Sequence, residues 1–423
     1  MTDEPKPDAR ATTEQIARAS YGKLVAILAS RFSDIEAAED ALADAFAKAL
    51  HHWPISGVPE NPEAWLITAA KNRQKDFNKS AHVKTSAGSL DDEKFAMTRG
   101  SVNLFDFEQS AIPDKRLELL FACAHPAIDP SIHTPLMLQT VLGLEASQIA
   151  TAYLMPSATL AQRLVRAKRK IKSAKIPFAL PRTNDIPSRL NAVLEAIYGA
   201  LSVDWSTTPQ GDITKDLSGE ALYLATLIVD LMPDEPEALG LASLLAFSIS
   251  RRRARTNEDG LFVPLEKQDT GKWDRLLTRR GQTLLKRAAK RNKPGRFQLE
   301  AAIQSVHAER LNTGEIDWHS IAQLYEGLIA IAPTSGAMVA RAAAVGNAFG
   351  AEAGINALAQ INEAEMNAFQ PFWATKAHLM AMLGSDEKAI DAYQKAIALS
   401  TDNSIREWLQ SKIGEIQKQY PAR

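Results

Sequence analysis

The stretch from Glu145 to Lys175, EASQIATAYLMPSATLAQRLVRAKRKIKSAK, restricts the fold of this chain more than any other. Ala146, Ile149, Ala150 and Tyr153 recur at helical spacing, as a short helix with one inward face requires. Met155, Pro156 and Ser157 interrupt it, because proline fixes its own φ and disfavours helix at the residue before it, and Ser157 is placed to cap the next turn. Beyond the break Leu160, Leu164, Ala167 and Ile171 share one stripe, while Thr159, Gln162, Arg163, Arg166 and Arg169 point elsewhere. From Ser157 to Lys175 the charged residues are Arg163, Arg166, Lys168, Arg169, Lys170, Lys172 and Lys175, with no Asp or Glu. Two helices joined by a tight turn, the second cationic with polar residues at its start, form the pattern by which a helix-turn-helix reads duplex DNA. The plainer alternative is a solvated basic face.

With 423 residues, 45% of them apolar, the chain has material for two or three domains with proper cores. Its formal net charge is -1, so affinity for nucleic acid has to come from local patches set apart from acidic ones. A single cysteine, Cys123, excludes an intrachain disulfide and a multi-cysteine metal site. The N-terminal MTDEPKPDAR is acidic and polar, unlike a secretory signal, and no apolar run approaches the roughly 18 residues that span a bilayer. A cytoplasmic location is expected.

A helix is expected from Thr12 or Thr13 to about Arg31, and a second from about Glu36 to His51, acidic early (Glu36, Glu39, Asp40, Asp44) and apolar along Ala41, Ala45, Phe46, Ala49 and Leu50. HWPISGVPENP then breaks the helix at its prolines, and Asn61 with Pro62 opens a third helix from Glu63 to about Lys79. Residues 80–110 are rich in Ser, Gly and acidic residues and read as a linker; helical patterning resumes at Asp114. PFALPRTNDIP, from Pro177 to Pro187, marks a second boundary. The remainder is helical again. Trp373, Ala377, Gly384, Ala389, Tyr393 and Ala396 fall at the offsets of a tetratricopeptide hairpin, in which small residues let two helices approach and an aromatic fills the gap.

In order, the acidic helix, the loop and helix WPISGVPENPEAWL, the IPDKRLELLF segment and a helix-turn-helix closing in QRLVRAKRKI resemble the extracytoplasmic-function sigma factors of bacteria, and more narrowly those with a C-terminal tetratricopeptide-like extension. The resemblance implies an all-α chain: sigma region 2 over 1–80, a flexible linker over 81–110, a region 4 helix-turn-helix over 111–178, and a helical tetratricopeptide-like regulatory domain over 185–423. It implies that Glu39, Asp40, Asp44 and Phe46 dock on the β′ clamp of core RNA polymerase, with the β flap as a further contact. Trp53, Asn61, Trp65, Lys71, Asn72, Arg73 and Lys75 would hold the melted minus-10 element, although the spacing of Trp65 to Leu66 and Ala69 favours a core role for that ring. Ser157, Thr159, Gln162, Arg163 and Arg166 would enter the groove of the minus-35 element, with Lys168, Arg169 and Lys172 mainly on phosphates. Phe77 and Asn78 stand where relatives tend to carry arginines, which weakens the expected grip there. The extension implies a protein partner or an intramolecular one. Its two basic clusters, Arg251 to Arg255 and Arg279 to Arg296, read as solvated surface.

The eight histidines show no metal-ligand spacing, no Gly-rich loop follows a strand, and Cys123 lies in an apolar helix, so neither a catalytic constellation, a cofactor site nor a metal site is expected. The competing assignment is a conventional helix-turn-helix regulator with a tetratricopeptide-like sensor that never joins the polymerase; such regulators lack the N-terminal module.

Overall fold

The computed structural model describes residues 9–85, 114–153, 155–182, 184–205 and 217–419. The chain is all-α: among these residues the only extended pairing is an isolated bridge between Thr256 and Phe262. Two compact units form, one from residues 1–200 with 214–217, the other from 201–213 with 218–423.

The first unit contains α1 (Ala9–Phe32), α2 (Ile35–Ser56), α3 (Pro62–Thr85), α4 (Lys115–Cys123), α5 (Pro130–Thr140), α6 (Ala146–Ala152), α7 (Ser157–Ser173) and the part of α8 (Ile186–Trp205) up to Ala200. Asp34 starts α2 by accepting the Ala37 amide at 3.2 Å, and Ile35, Ala38, Leu42, Ala45, Ala49 and Trp53 form its buried stripe. Here the structure corrects the expected break near His51. Pro54 sits in the last turn, where the carbonyl it leaves without a donor belongs to exposed Leu50, so the helix runs on to Ser56 and ends at Gly57 with φ 86°. α3 likewise continues past Lys79 to Thr85, and the rest of the expected linker, 86–110, lies outside the described residues.

Leu24, Leu28, Leu42, Leu66 and Leu120 are fully buried in this unit, each contributing about 2 kcal/mol of transfer free energy. α4 and α5 pack on α1; at Gly22 a β-carbon would collide with the Val141 backbone, so that close approach requires glycine. Arg189 donates to the Phe121 carbonyl at 3.3 Å, and Gly199 lies against Leu138. These contacts carry the first unit beyond the proline-rich 177–187 segment to Ala200.

The second unit contains α9 (Leu217–Leu231, from Ser218), α10 (Pro236–Ser250), α11 (Arg275–Ala289), α12 (Arg296–Thr313), α13 (Trp318–Ile331), α14 (Ser335–Phe349), α15 (Ala351–Leu358), α16 (Gln370–Met382), α17 (Asp386–Leu399) and α18 (Asn403–Gln419). α10 is apolar nearly all round and is the central helix. Glu237 on it caps α12, accepting the Phe297 amide at 2.9 Å and the Gln298 amide at 3.2 Å. α16 and α17 form a hairpin that turns at Gly384, φ 74°, and buries Trp373, Ala377, Ala389, Tyr393 and Ala396 between its helices.

Candidate functional site

In the first unit the acidic helix and the cationic one meet. Lys168 on α7 donates to Glu39 on α2 at 2.7 and 2.8 Å, with both side chains largely buried. Burial holds the Glu39 carboxyl above its ordinary range even with Lys168 beside it. Around this pair Lys172 binds Asp34 at 2.7 Å and Arg169 lies 3.9 Å from Glu36, both cations being mostly exposed. Bonding to Asp34 raises the Lys172 ammonium above its usual value. Asp44, half-buried on α2, pairs with Arg73 on α3, whereas Asp40 is exposed and Phe46 half-buried. Two residues expected to grip nucleic acid, Lys168 and Arg73, are thus bound to two expected to grip the polymerase.

The expected minus-10 residues divide. Trp53 is 2% exposed and belongs to the core, so its ring offers no stacking surface in this conformation. The sequence assigned the core role to Trp65; in the structure Trp53 is the more deeply buried of the two, because the unbroken α2 brings it onto the buried stripe, and Trp65 is half-buried, edge-on to it at 5.4 Å. Asn61 caps α3, its Oδ1 accepting the Ala64 amide at 3.0 Å. Lys71 is half-buried, while Asn72 and Lys75 are exposed. Phe77 and Asn78 lie on α3, but their side chains fall outside what the structure describes.

Among the expected minus-35 residues, Ser157, Thr159, Gln162 and Arg166 are exposed along the first half of α7. Pro156 occupies the cap position, so Ser157 begins the helix instead of capping it. Arg163 is partly withdrawn, bonded to Ser131 and 3.6 Å from Asp129 at the start of α5. Asp34, Glu36, Asp129 and Ser131 are partners that the sequence does not announce; matching acidic and basic blocks are the signal, but nothing in their spacing says they touch.

Cys123 is fully buried, with its thiol pushed up to about 12 by burial and its sulfur 3.7 Å from the Thr140 hydroxyl. In the second unit the structure corrects one basic cluster: Arg251 and Arg255 are buried, the latter 4.0 Å over the Trp205 ring and donating to the Trp205 carbonyl at 2.7 Å. A cavity of about 830 Å³ in the same unit is lined by Trp318, Tyr325, Tyr393 and Trp408, among others, and edged by the segment from Phe262 to Lys267. Arg310 holds that segment by its main chain, donating to the Leu265 carbonyl at 2.7 Å and to the Gln268 carbonyl.

The first unit is thus all-helical, with an acidic helix leading into a tryptophan-bearing helix and, later in the chain, a short helix followed by a basic one. Residues 16–82 match the model of sigma-70 region 2, and residues 189–289 match a family of unknown function, DUF6596. An uncharacterized protein of Rhizobium meliloti (strain 1021) is 32% identical over 393 residues, covering 91% of each chain. The chain belongs to the sigma factors of the extracytoplasmic-function type that carry a C-terminal extension. As such it binds RNA polymerase and promoter DNA. No solved structure matches it.

Proposed function

We propose that this sigma factor docks on the polymerase β′ clamp through Glu39, Asp40, Asp44 and Phe46, holds the melted minus-10 strand along α3 with Trp65, Asn72, Arg73 and Lys75, and reads the minus-35 element with the exposed edge of α7. Acidic and basic faces on separate helices of one unit carry this reading. They are complementary to one another, and each is equally complementary to an outside partner: a basic protein surface for α2, phosphate for α7. Because Glu39 binds Lys168 and Asp44 binds Arg73, these pairs have to part before both faces can be used. On this reading the unit as described is the unloaded form. Thr159, Gln162 and Arg166, all exposed on α7, would meet base edges, and the exposed Lys170 the backbone.

The extension modulates this activity through its tetratricopeptide-like hairpins, with the aromatic cavity as the surface open to a protein segment. Run-off transcription with purified core polymerase on a promoter library tests the assignment, using the full chain and a version ending at Trp205. Ending at Trp205 keeps the part of α8 that the first unit needs. Specific starts that require the added chain are expected; operator binding without any initiation would identify a conventional regulator instead.

A further inference from the structure

α11 is the most uniformly charged exposed element of the second unit. From Arg275 to Arg296 the sequence RLLTRRGQTLLKRAAKRNKPGR holds nine Lys and Arg residues and no Asp or Glu. Thr278, Gly281, Leu284 and Ala288 form its buried stripe. That stripe seats tightly on α10: the Ser243 hydroxyl donates to the Gly281 carbonyl at 2.8 Å, and a β-carbon on Gly281 would meet the Phe247 ring at 3.1 Å. At 100° per residue, Arg275, Arg279, Lys286 and Lys290 fall within one narrow arc directly opposite. All four are exposed, and among the described residues no acidic side chain pairs with any of them. The flanking stripe differs. Arg280, Arg287 and Arg291 fold back onto Thr226, the Pro233 carbonyl and Asp234.

We propose that the outward stripe of α11 is a third nucleic-acid surface, which binds the phosphate backbone of duplex DNA without reading its sequence. Four cations at i, i+4, i+11 and i+15 make a straight row about 22 Å long on a helix that its tight seat on α10 holds rigid. A membrane-lying helix needs an apolar face toward the lipid, and the only large apolar residue turned outward here is Leu276. A protein partner would be gripped by aromatic or aliphatic anchors, which this face lacks, whereas phosphate requires only cations. The choice of DNA rests on the sigma-factor reading, which brings promoter DNA to the molecule.

The test uses the full chain without polymerase, binding a duplex of random sequence over a range of potassium chloride, compared with the variant Arg275→Gln, Arg279→Gln, Lys286→Gln, Lys290→Gln. Unfolding is followed in parallel, and the substituted side chains are all exposed. The wild-type chain is expected to bind, and the folded variant to lose at least tenfold in affinity near 0.1 M salt. Its slope of log affinity against log salt should shrink by roughly 3 to 4, since each phosphate contact contributes about 0.9. An unchanged affinity and slope would overturn the proposal. So would a wild-type chain that ignores DNA but binds vesicles containing phosphatidylserine. Failure of the sigma reading is seen separately, as absence of initiation with core polymerase.

Discussion

The Lys168 ammonium lies 2.7 Å from the Glu39 carboxylate, joining the cationic helix α7 to the acidic helix α2 across 129 positions of sequence. Removing one partner strands the other in a poorly solvated place. Lys168→Met, which leaves the buried Glu39 carboxylate without its partner, should destabilise the first unit by about 3 kcal/mol; Glu39→Gln, which supplies the uncharged form that burial favours, should cost less, and the double substitution less than the sum. Denaturant titrations of the four proteins measure this coupling; additive effects would show that the pair holds nothing. Because burial raises the Glu39 carboxyl, its contribution is present below the ordinary value of 4.5 and is lost as pH rises through the raised one. Stability of the wild-type unit should therefore decline with rising pH across that window, and Glu39→Gln should flatten the decline.

Arg166 is exposed on α7 and its guanidinium is secured only loosely, by a 3.3 Å bond to the Gln162 carbonyl. Arg166→Ala should weaken minus-35 binding by roughly 1 to 3 kcal/mol and relax preference at one promoter position. Lys172→Ala should weaken all promoters alike. Promoter-library transcription separates the two patterns, and a uniform loss for Arg166→Ala would remove it from the groove.

His307 is buried in the second unit, its pKa pushed down to about 3 by burial and by the neighbouring Arg251 and Arg310. It folds neutral and is protonated readily only when unfolded, so its contribution is intact above about 6.5. Below that the unfolded chain takes up the proton first. Stability should fall by about 1.4 kcal/mol for each pH unit between 6.5 and 3 on this account alone. Acid unfolding followed by tryptophan fluorescence should show that limb, and His307→Phe should make it shallower.

Gly22→Ala should destabilise the first unit, since the added methyl has to displace the Val141 backbone rather than a movable side chain. A net loss of about 1 to 3 kcal/mol is expected, against the small gain alanine brings to a helix interior. Thermal melting decides it. A raised melting temperature would mean that the α1 contact yields freely.

Much of the fold is legible in the sequence because single helices announce themselves. The helix start at Asn61 and Pro62, the stripe Leu160, Leu164, Ala167 and Ile171, and the hairpin around Gly384 are local patterns. What the sequence misplaces depends on a longer view. Pro54 reads as a breaker, yet within one turn of a helix end it breaks little, and that single difference puts Trp53 on the buried stripe beside Trp65. Arg251 and Arg255 read as surface, but Trp205, about 50 positions away, covers them. At the candidate site both charged faces are visible as composition. Their meeting is not, because complementary charge gives no register.

On the function proposed above, the Asp44–Arg73 and Glu39–Lys168 pairs set the chain against its own clients. A rival tethered in the same polypeptide is present at a fixed local concentration, so neither dilution nor overproduction relieves it. Apparent affinity for the polymerase is the intrinsic affinity scaled by the fraction of molecules standing open. On that proposal, whatever shifts the fraction, ionic strength included, sets how many copies are competent, independently of how many the cell makes.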